Sequence, residues 1–442
     1  MNFRPASSLA IIVGLMSVLG STHGFATNLL MLQGTEPSGG DATPKLFGLV
    51  QMFYMVDKSD ASSSGNYVPA KLVPPDYSSQ QGFNIYRAWL GARGRNVAND
   101  DKINYVLLTE FGNNAITAVP GRTVALTDAS VTFNHIPHAR VRAGLFKTPG
   151  AEEGMTGVDG ADFVEFTNVT NQLLLERVPN ALASTNISPT NPERSGISLN
   201  GFTKPVAAFR DVGVEVFDAI AIDSWEFSYA GMFGNGNGLS GSDNDGNKDL
   251  YGYLAVEKIF SGEGAARQGV KFFGWDQNGK RTFDGDGDGV NDEYSRNRNG
   301  LGMTFRKAAW HGAAEFIQAR GMIFLGPDKP SFDYNTFATA GGDGLHGKGD
   351  GWYVSAGYRF LPTGWELDGR YEVLTVLKDD TLETEFKAYS LGAQYYFNPK
   401  TRVTLNATSR DFKVIDTTAG SAINANLNGV GMRYALELTL MF

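Results

Sequence analysis

Residues 430–442 read VGMRYALELTLMF, and large apolar residues stand at every second position of this stretch. The apolar set is Tyr434, Leu436, Leu438, Leu440 and Phe442. Successive side chains of a strand point to opposite faces, so a period of two predicts a strand with one apolar and one polar face. The same period occurs in RVRAGLFK at 140–147, where Val141, Ala143 and Leu145 share a face, and in TRVTLNATSRD at 401–411.

Sixteen stretches of the chain carry this pattern. They lie near residues 44–55, 83–95, 101–112, 123–134, 138–147, 207–218, 224–233, 249–260, 267–276, 299–308, 311–322, 351–361, 365–376, 385–397, 401–411 and 430–442. Short, turn-forming gaps such as 362–364 and 398–400 alternate with long polar gaps such as 58–81 and 277–298. This layout predicts an all-β fold, a closed antiparallel transmembrane β-barrel of about 16 strands with short periplasmic turns and long extracellular loops. A soluble β-sandwich is the alternative.

The last strand also indicates a compartment. An apolar face that ends on an aromatic residue, here Phe442, is typical of outer-membrane barrels and resembles the signal that the barrel assembly machinery reads. An ordinary half-buried last strand is the alternative. We therefore expect a protein of the bacterial outer membrane, with outer-membrane lipid and lipopolysaccharide as its surroundings.

The first 26 residues have the features of a secretory signal peptide. Arg4 supplies the positive charge, residues 9–19 (LAIIVGLMSVL) form an apolar run, and Gly24-Phe25-Ala26 is a small-x-small cleavage site. A transmembrane anchor is the alternative, although a span needs about 20 apolar residues. We expect the mature chain to start at Thr27, with 27–43 as a periplasmic segment before a barrel formed by 44–442.

Composition and motifs exclude several classes of function. The 442 residues include no Cys, which rules out thiolate metal sites and cysteine nucleophiles. A formal net charge of −9 argues against nucleic acid as a partner. We find no zinc-protease, phosphate-binding or dinucleotide-binding motif and no Ser/His/Asp arrangement, so we expect no enzyme and no required cofactor.

Several segments resemble the phosphate-selective porin O/P family. They are Arg87 to Gly94 (RAWLGARG), Leu126 to Phe146, Leu175 to Leu182 (LERVPNAL), Arg210 to Val214 (RDVGV) and Tyr395 to Pro399 (YYFNP). The resemblance implies a sixteen-stranded barrel that assembles as a homotrimer, with residues 148–205 as a long third loop that constricts the pore. The chain departs from the basic constriction of that family, because residues 151–181 carry six acids and one base, Arg177. Phosphate selectivity is therefore not implied.

Arginines on the predicted inner face are candidate pore-lining residues. If the apolar faces meet lipid, the lumen receives Arg87, Arg93, Arg140, Arg142, Arg402 and Arg410, and the third loop adds Arg177. Guanidinium groups along a narrow pore lower the barrier for anions. In the alternative, these arginines are neutralised by inward acids such as Glu366, Asp368 and Glu372.

One acidic loop has the spacing of a calcium site. Asp284, Asp286 and Asp288 occupy positions one, three and five of an EF-hand-like loop, and Asp292 occupies position nine. Ser295 replaces the bidentate Glu at position twelve. The expectation is a weak Ca²⁺ site in an extracellular loop, and the alternative is a solvated acidic loop.

Together these features predict a porin for passive diffusion of small hydrophilic solutes or ions. The inward arginines favour anions, of which a phosphate-like anion is one candidate. Two other functions stay open. The barrel could be a scaffold or sheath around a periplasmic electron carrier, which needs an unobstructed lumen, or an adhesin that uses its acidic loops.

Overall fold

The computed structural model describes residues 44–60, 81–112, 114, 124–157, 160–175, 209–240, 243, 245–262, 267–283, 290–323 and 346–442. The predicted signal peptide (1–26) and periplasmic segment (27–43) lie outside these residues. So do Arg177, Asp284, Asp286 and Asp288, together with the second half of the third loop. What the sequence indicates for these residues stays a prediction.

Sixteen strands occur in the described part of the chain. They are β1 (Lys45–Asp57), β2 (Gln81–Val97), β3 (Asp100–Glu110), β4 (Ala125–Phe133), β5 (Arg140–Lys147), β6 (Arg210–Ile222), β7 (Trp225–Gly234), β8 (Asp249–Ser261), β9 (Gln268–Phe283), β10 (Asp292–Lys307), β11 (Trp310–Arg320), β12 (Lys348–Phe360), β13 (Trp365–Val376), β14 (Thr384–Asn398), β15 (Thr401–Val414) and β16 (Arg433–Met441). Each strand pairs with the next, and β16 pairs antiparallel with β1. The predicted closed antiparallel barrel of sixteen strands is confirmed.

The barrel closes through a continuous register between its first and last strands. Leu49 lies opposite Met441 at one end of the β1–β16 pair, and Asp57 lies opposite Arg433 at the other. Beyond the strand end, the backbone of Phe442 exchanges hydrogen bonds of 3.0 and 3.2 Å with Gly48. A side chain at Gly48 would overlap the Phe442 ring, so glycine lets this ring lie against β1.

Side chains alternate between the two faces of the wall. Leu254, Leu301 and Leu391 on the outer face are about 70% exposed, whereas the inward Arg142 and Thr439 are buried. A barrel with an apolar outside and a polar inside produces this alternation. Leu145 differs from the prediction, because it is buried in a cluster with Val164 and Leu175 of the third loop.

The strands β9 and β10 extend further than the sequence predicted. They continue to Phe283 and begin at Asp292, whereas the apolar period covers only 267–276 and 299–308. The outward positions of the extension in β10 are Ser295, Asn297 and Asn299, so this part has an inward side but no apolar outward face. Hydrophobic periodicity cannot detect such a strand end.

Three short α-helices occur in the described residues: α1 (Glu152–Met155), α2 (Asn168–Leu173) and α3 (Ser421–Leu427). The hydroxyl of Thr167 caps α2 by accepting a hydrogen bond of 3.1 Å from the N–H of Thr170. Among the helices that the structure describes, none is long and apolar enough to cross a membrane.

Gly144 is a position in β5 that accepts only glycine. Its φ is +125°, and an added Cβ would overlap the carbonyl oxygen of Ala129 on β4. We expect Gly144→Ala to lower the stability of the barrel by about 1–3 kcal/mol or more, because strain of the backbone adds to the overlap. The temperature at which the folded band disappears in heat-modifiability gels measures this loss.

Gly231 in β7 provides the matched control, since nothing lies within 4 Å of an added Cβ there. Gly231→Ala is expected to leave the transition temperature unchanged. Equal transition temperatures for Gly144→Ala and the wild type would contradict the assignment of strain to Gly144.

Candidate functional site

The described part of the third loop packs against the inner wall of the barrel. In α2, Val169 and Leu173 are fully buried in a cluster with Ile317 of β11 and Leu374 of β13. Two glycines of β12 allow this approach, because a Cβ at Gly349 or Gly351 would come within 2.9 Å of these side chains. The inner wall is therefore apolar where it receives the loop, although the sequence pattern predicted a polar inner face throughout.

The four acids of the third loop that the structure describes are paired with bases of the wall. The pairs are Glu152 with Lys271 of β9 at 2.7 Å, Glu153 with Arg370 of β13 at 3.4 Å, Asp162 with His311 of β11 at 3.4 Å and Glu165 with Arg433 of β16 at 3.0 Å. Three of these bases are buried, and the fourth, Lys271, is 11% exposed. Residues that looked like an uncompensated acidic constriction in the sequence thus hold the loop to the wall.

Backbone groups of the loop are held as well. The guanidinium groups of Arg296 and Arg298 on β10 donate hydrogen bonds to the carbonyls of Leu174 and Leu173, at the C-terminal end of α2. Helix ends leave carbonyls without intrahelical partners, and cations there are favourable. At the other end of α2, the carboxylate of Glu372 accepts a hydrogen bond from the N–H of Asn168.

A cavity that is open to solvent lies between the loop and the wall. Residues 160–166 of the loop form one side of this cavity. The basic groups that line it are Arg87, Arg267, Arg306, His311 and Arg370, and the acidic groups are Glu152, Glu153, Asp162, Glu165, Glu257 and Glu437. The lining is charged and nearly balanced in sign, which suits water and small hydrophilic solutes.

The six predicted arginines within the described residues lie in different surroundings. Arg87 lines the cavity and donates a hydrogen bond of 2.7 Å to the side-chain oxygen of Gln51. Three others have acidic partners: Arg140 with Asp218 at 3.3 Å, Arg142 with Glu215 at 3.6 Å, and Arg410 with Asp57 at 2.8 Å. Arg93 lies over the ring of Phe47, and Arg402 is buried.

These arginines do not form one site. Arg402 and Arg410 lie near opposite ends of β15, which separates them by about 26 Å at about 3.3 Å per residue. The acids that we considered as partners have other roles. Glu366 and Asp368 lie beside His311, and Glu372 binds α2.

Sequence reasoning missed most of the bases that contact the third loop. They are Lys271, Arg296, Arg298, Arg370 and Arg433. Arg433 and Arg370 occupy the polar faces of predicted strands, so the alternation alone could have found them. Arg296 and Arg298 lie in the part of β10 that the pattern assigned to a loop.

Of the predicted calcium ligands, only Asp292 is among the described residues. It is the first residue of β10 and lies opposite Phe283. The pairing brings the two ends of the acidic segment together. Calcium binding by this segment stays a prediction.

Comparisons with known proteins show the fold. No protein-family model and no curated protein sequence matches the chain. Among solved structures, the anion-selective porin from Comamonas acidovorans superposes with a TM-score of 0.52 at 12% identity, over 91% of this chain and 100% of that one. The outer membrane channel DcaP of Acinetobacter baumannii gives 0.53 at 11% identity, over 95% and 100%.

A loop-deletion mutant of OmpT, an outer membrane protein of Vibrio cholerae, gives a TM-score of 0.51 at 11% identity, over 91% and 100% of the two chains. At these identities the likeness is one of architecture. The resemblance to the phosphate-selective O/P family in particular is not confirmed by it. This chain has the sixteen-stranded barrel fold of outer-membrane porins and channels.

Proposed function

We propose that the protein is an outer-membrane channel for passive diffusion of small hydrophilic solutes and ions. The observation that carries the proposal is the third loop packed inside the barrel, which leaves a charged cavity open to solvent. The exposed apolar outer face supports a place in lipid. Signal-peptide cleavage at Ala26 and assembly as a homotrimer belong to the same proposal.

The packed loop favours a channel over the other two functions. A sheath around an electron carrier needs an open lumen, but Val169 and Leu173 of the loop are buried against the wall of this lumen. The function of an adhesin does not depend on the interior of its barrel. The interior of this barrel nevertheless holds many buried ionic groups, such as Arg142 and Glu215. Burying such groups costs free energy, and in membrane barrels polar groups of the interior commonly line the channel.

We further propose a modest preference for anions, with inorganic phosphate and chloride as candidate solutes. Each described acid of the third loop has a basic partner, so the charge of the loop is offset. The guanidinium of Arg87 is bonded to a neutral amide and faces the same cavity. Glu437, bonded to the other end of that amide at 3.0 Å, acts in the opposite direction.

Neutralising these two groups should move ion selectivity in opposite directions. We expect Arg87→Gln to shift the reversal potential in a KCl gradient toward cation preference, and Glu437→Gln to shift it toward anion preference. Both groups line the cavity, where bulk salt screens them less than it screens surface charges. Single-channel recording of refolded protein in a planar bilayer measures the shift and tests the channel itself.

Lys102→Gln is the matched control, because Lys102 is exposed on β3 and does not line the cavity. Its reversal potential should equal that of the wild type. A folded wild type that forms no channels would refute the proposed function. Channels whose reversal potential is unchanged by both substitutions would refute only the role of Arg87 and Glu437.

A further inference from the structure

Four potential metal ligands converge beside the cavity. They are Asp162 of the third loop, His311 of β11, and Glu366 and Asp368 of β13, and one ligand atom from each lies within 4.8 Å of all the others. The Nε2 atom of His311 is 3.1 Å from Asp368 Oδ1, 3.4 Å from Asp162 Oδ2 and 3.8 Å from Glu366 Oε1. Three arginines, Arg306, Arg359 and Arg402, also interact electrostatically with acids of this group.

The barrel brings these groups together through a glycine. His311 and Asp368 lie on strands two apart, about 9.6 Å at the usual spacing, and Gly357 of β12 lies between them in register with both. A Cβ at Gly357 would overlap Nε2 of His311 and Oδ1 of Asp368. Because Gly357 has no side chain, His311 and Asp368 can meet in the space that a Cβ would fill.

One ligand atom lacks a hydrogen-bond partner. Glu366 is fully buried, and its Oε2 atom accepts no hydrogen bond from the described residues. Its other oxygen and Oδ2 of Asp368 each accept a hydrogen bond of 3.0 Å from the amide of Gln394. An amide that orients two ligating carboxylates is a common outer partner in metal sites, and an unpaired buried carboxylate oxygen is costly.

We propose that Asp162, His311, Glu366 and Asp368 bind one Zn²⁺ or a similar late first-row divalent cation. Ligands at about 2.0–2.1 Å from a tetrahedral zinc are about 3.4 Å apart, which agrees with the three distances from His311. An imidazole among carboxylates favours such ions over Ca²⁺ or Mg²⁺. Since Asp162 belongs to the third loop, the bound ion ties this loop to β11 and β13.

The full-length protein, refolded in detergent and freed of metal with a chelator, provides the test. Titration with Zn²⁺ followed by calorimetry should give one site per chain with a dissociation constant at or below the micromolar range. His311→Gln and Asp162→Asn should abolish this site. His135→Gln should leave it unchanged, because His135 pairs with Asp100 at an exposed turn.

Co²⁺ is a second probe, because its visible absorption reports on its ligands. We expect the strong bands of a tetrahedral complex in the wild type and in His135→Gln, and their loss in His311→Gln. Gly357→Ala should also abolish binding, although it removes no ligand, because its methyl group fills the site.

Failure of the wild type to bind Zn²⁺ would overturn the proposal. It would mean that His311 and the nearby arginines neutralise the acids without a metal ion; these arginines are Arg306, Arg359 and Arg402. Equal binding by the wild type and Asp162→Asn would overturn it as well. Asp162 lies in a loop, so this variant preserves strand pairing if His311→Gln does not fold. None of these measurements depends on channel activity, so their outcome is separate from that of the proposed function.

Discussion

Replacing both Arg296 and Arg298 by glutamine is expected to raise the single-channel conductance and the open-channel noise, while the barrel stays folded. The two guanidinium groups bind the carbonyls of Leu174 and Leu173. Arg298 also donates to Gly321 and Met322 at 3.0 and 3.1 Å. Hydrogen bonds to charged groups contribute about 1.5–3 kcal/mol each, so their loss weakens the docking of the third loop.

The expected result follows from where α2 lies. It occupies lumen volume beside β11–β13, and any population of undocked loop widens the ion path. Single-channel recording at fixed salt concentration, with heat-modifiability gels as the check of folding, measures the effect. The proposed channel function is assumed, and wild-type recordings establish it first.

Arg320→Gln serves as the control, because its side chain is exposed on β11. This variant should conduct like the wild type. A folded Arg296→Gln/Arg298→Gln protein with wild-type conductance and noise would show that the two arginines do not hold the loop in the conducting state.

The barrel could be predicted because its strands and turns follow from local patterns in the sequence. Alternation along β13, β14 and β15 places side chains on opposite faces, and the short turns 362–364 and 399–400 join neighbouring strands. Both features act within about fifteen residues. The count and order of the strands follow from such local signals without knowledge of distant contacts.

The interior could not be predicted in the same way. Arg433 and Glu165 are separated by 268 residues, and Arg298 and Leu173 by 125. Local periodicity predicts that a side chain points inward, but it does not predict which residues this side chain contacts. The partner of Arg142, for example, is Glu215 on the neighbouring β6, and not one of the acids of β13.

The convergence of His311, Gly357 and Asp368 had a weak sequence signal. Glu366 and Asp368 share a face because they are two residues apart, and His311 is the second residue of β11. What the sequence lacks is the register that aligns β11, β12 and β13. A shift of one residue would turn these side chains to the other face of the wall.

Replacing Phe442 by Asp is expected to leave most of the protein unassembled in the periplasm of a producing cell. Phe442 closes the barrel through two backbone hydrogen bonds with Gly48, and its ring lies against that glycine. The sequence predicts that it also belongs to the signal read by the barrel assembly machinery. The measurement is the fraction of heat-modifiable protein in outer-membrane fractions.

Phe397→Asp separates this signal from a general effect of charge on the outer surface. Phe397 is the last residue but one of β14, near the same short-turn end of the barrel, and it is 60% exposed against 59% for Phe442. An acid near the membrane interface costs only about 0–1 kcal/mol, so neither substitution should prevent refolding of purified protein in detergent. We expect Phe397→Asp to assemble in cells and Phe442→Asp to fail there, although both refold in detergent. Normal cellular assembly of Phe442→Asp would contradict a role for the ring in recognition, and would leave backbone pairing with Gly48 as its contribution to the barrel.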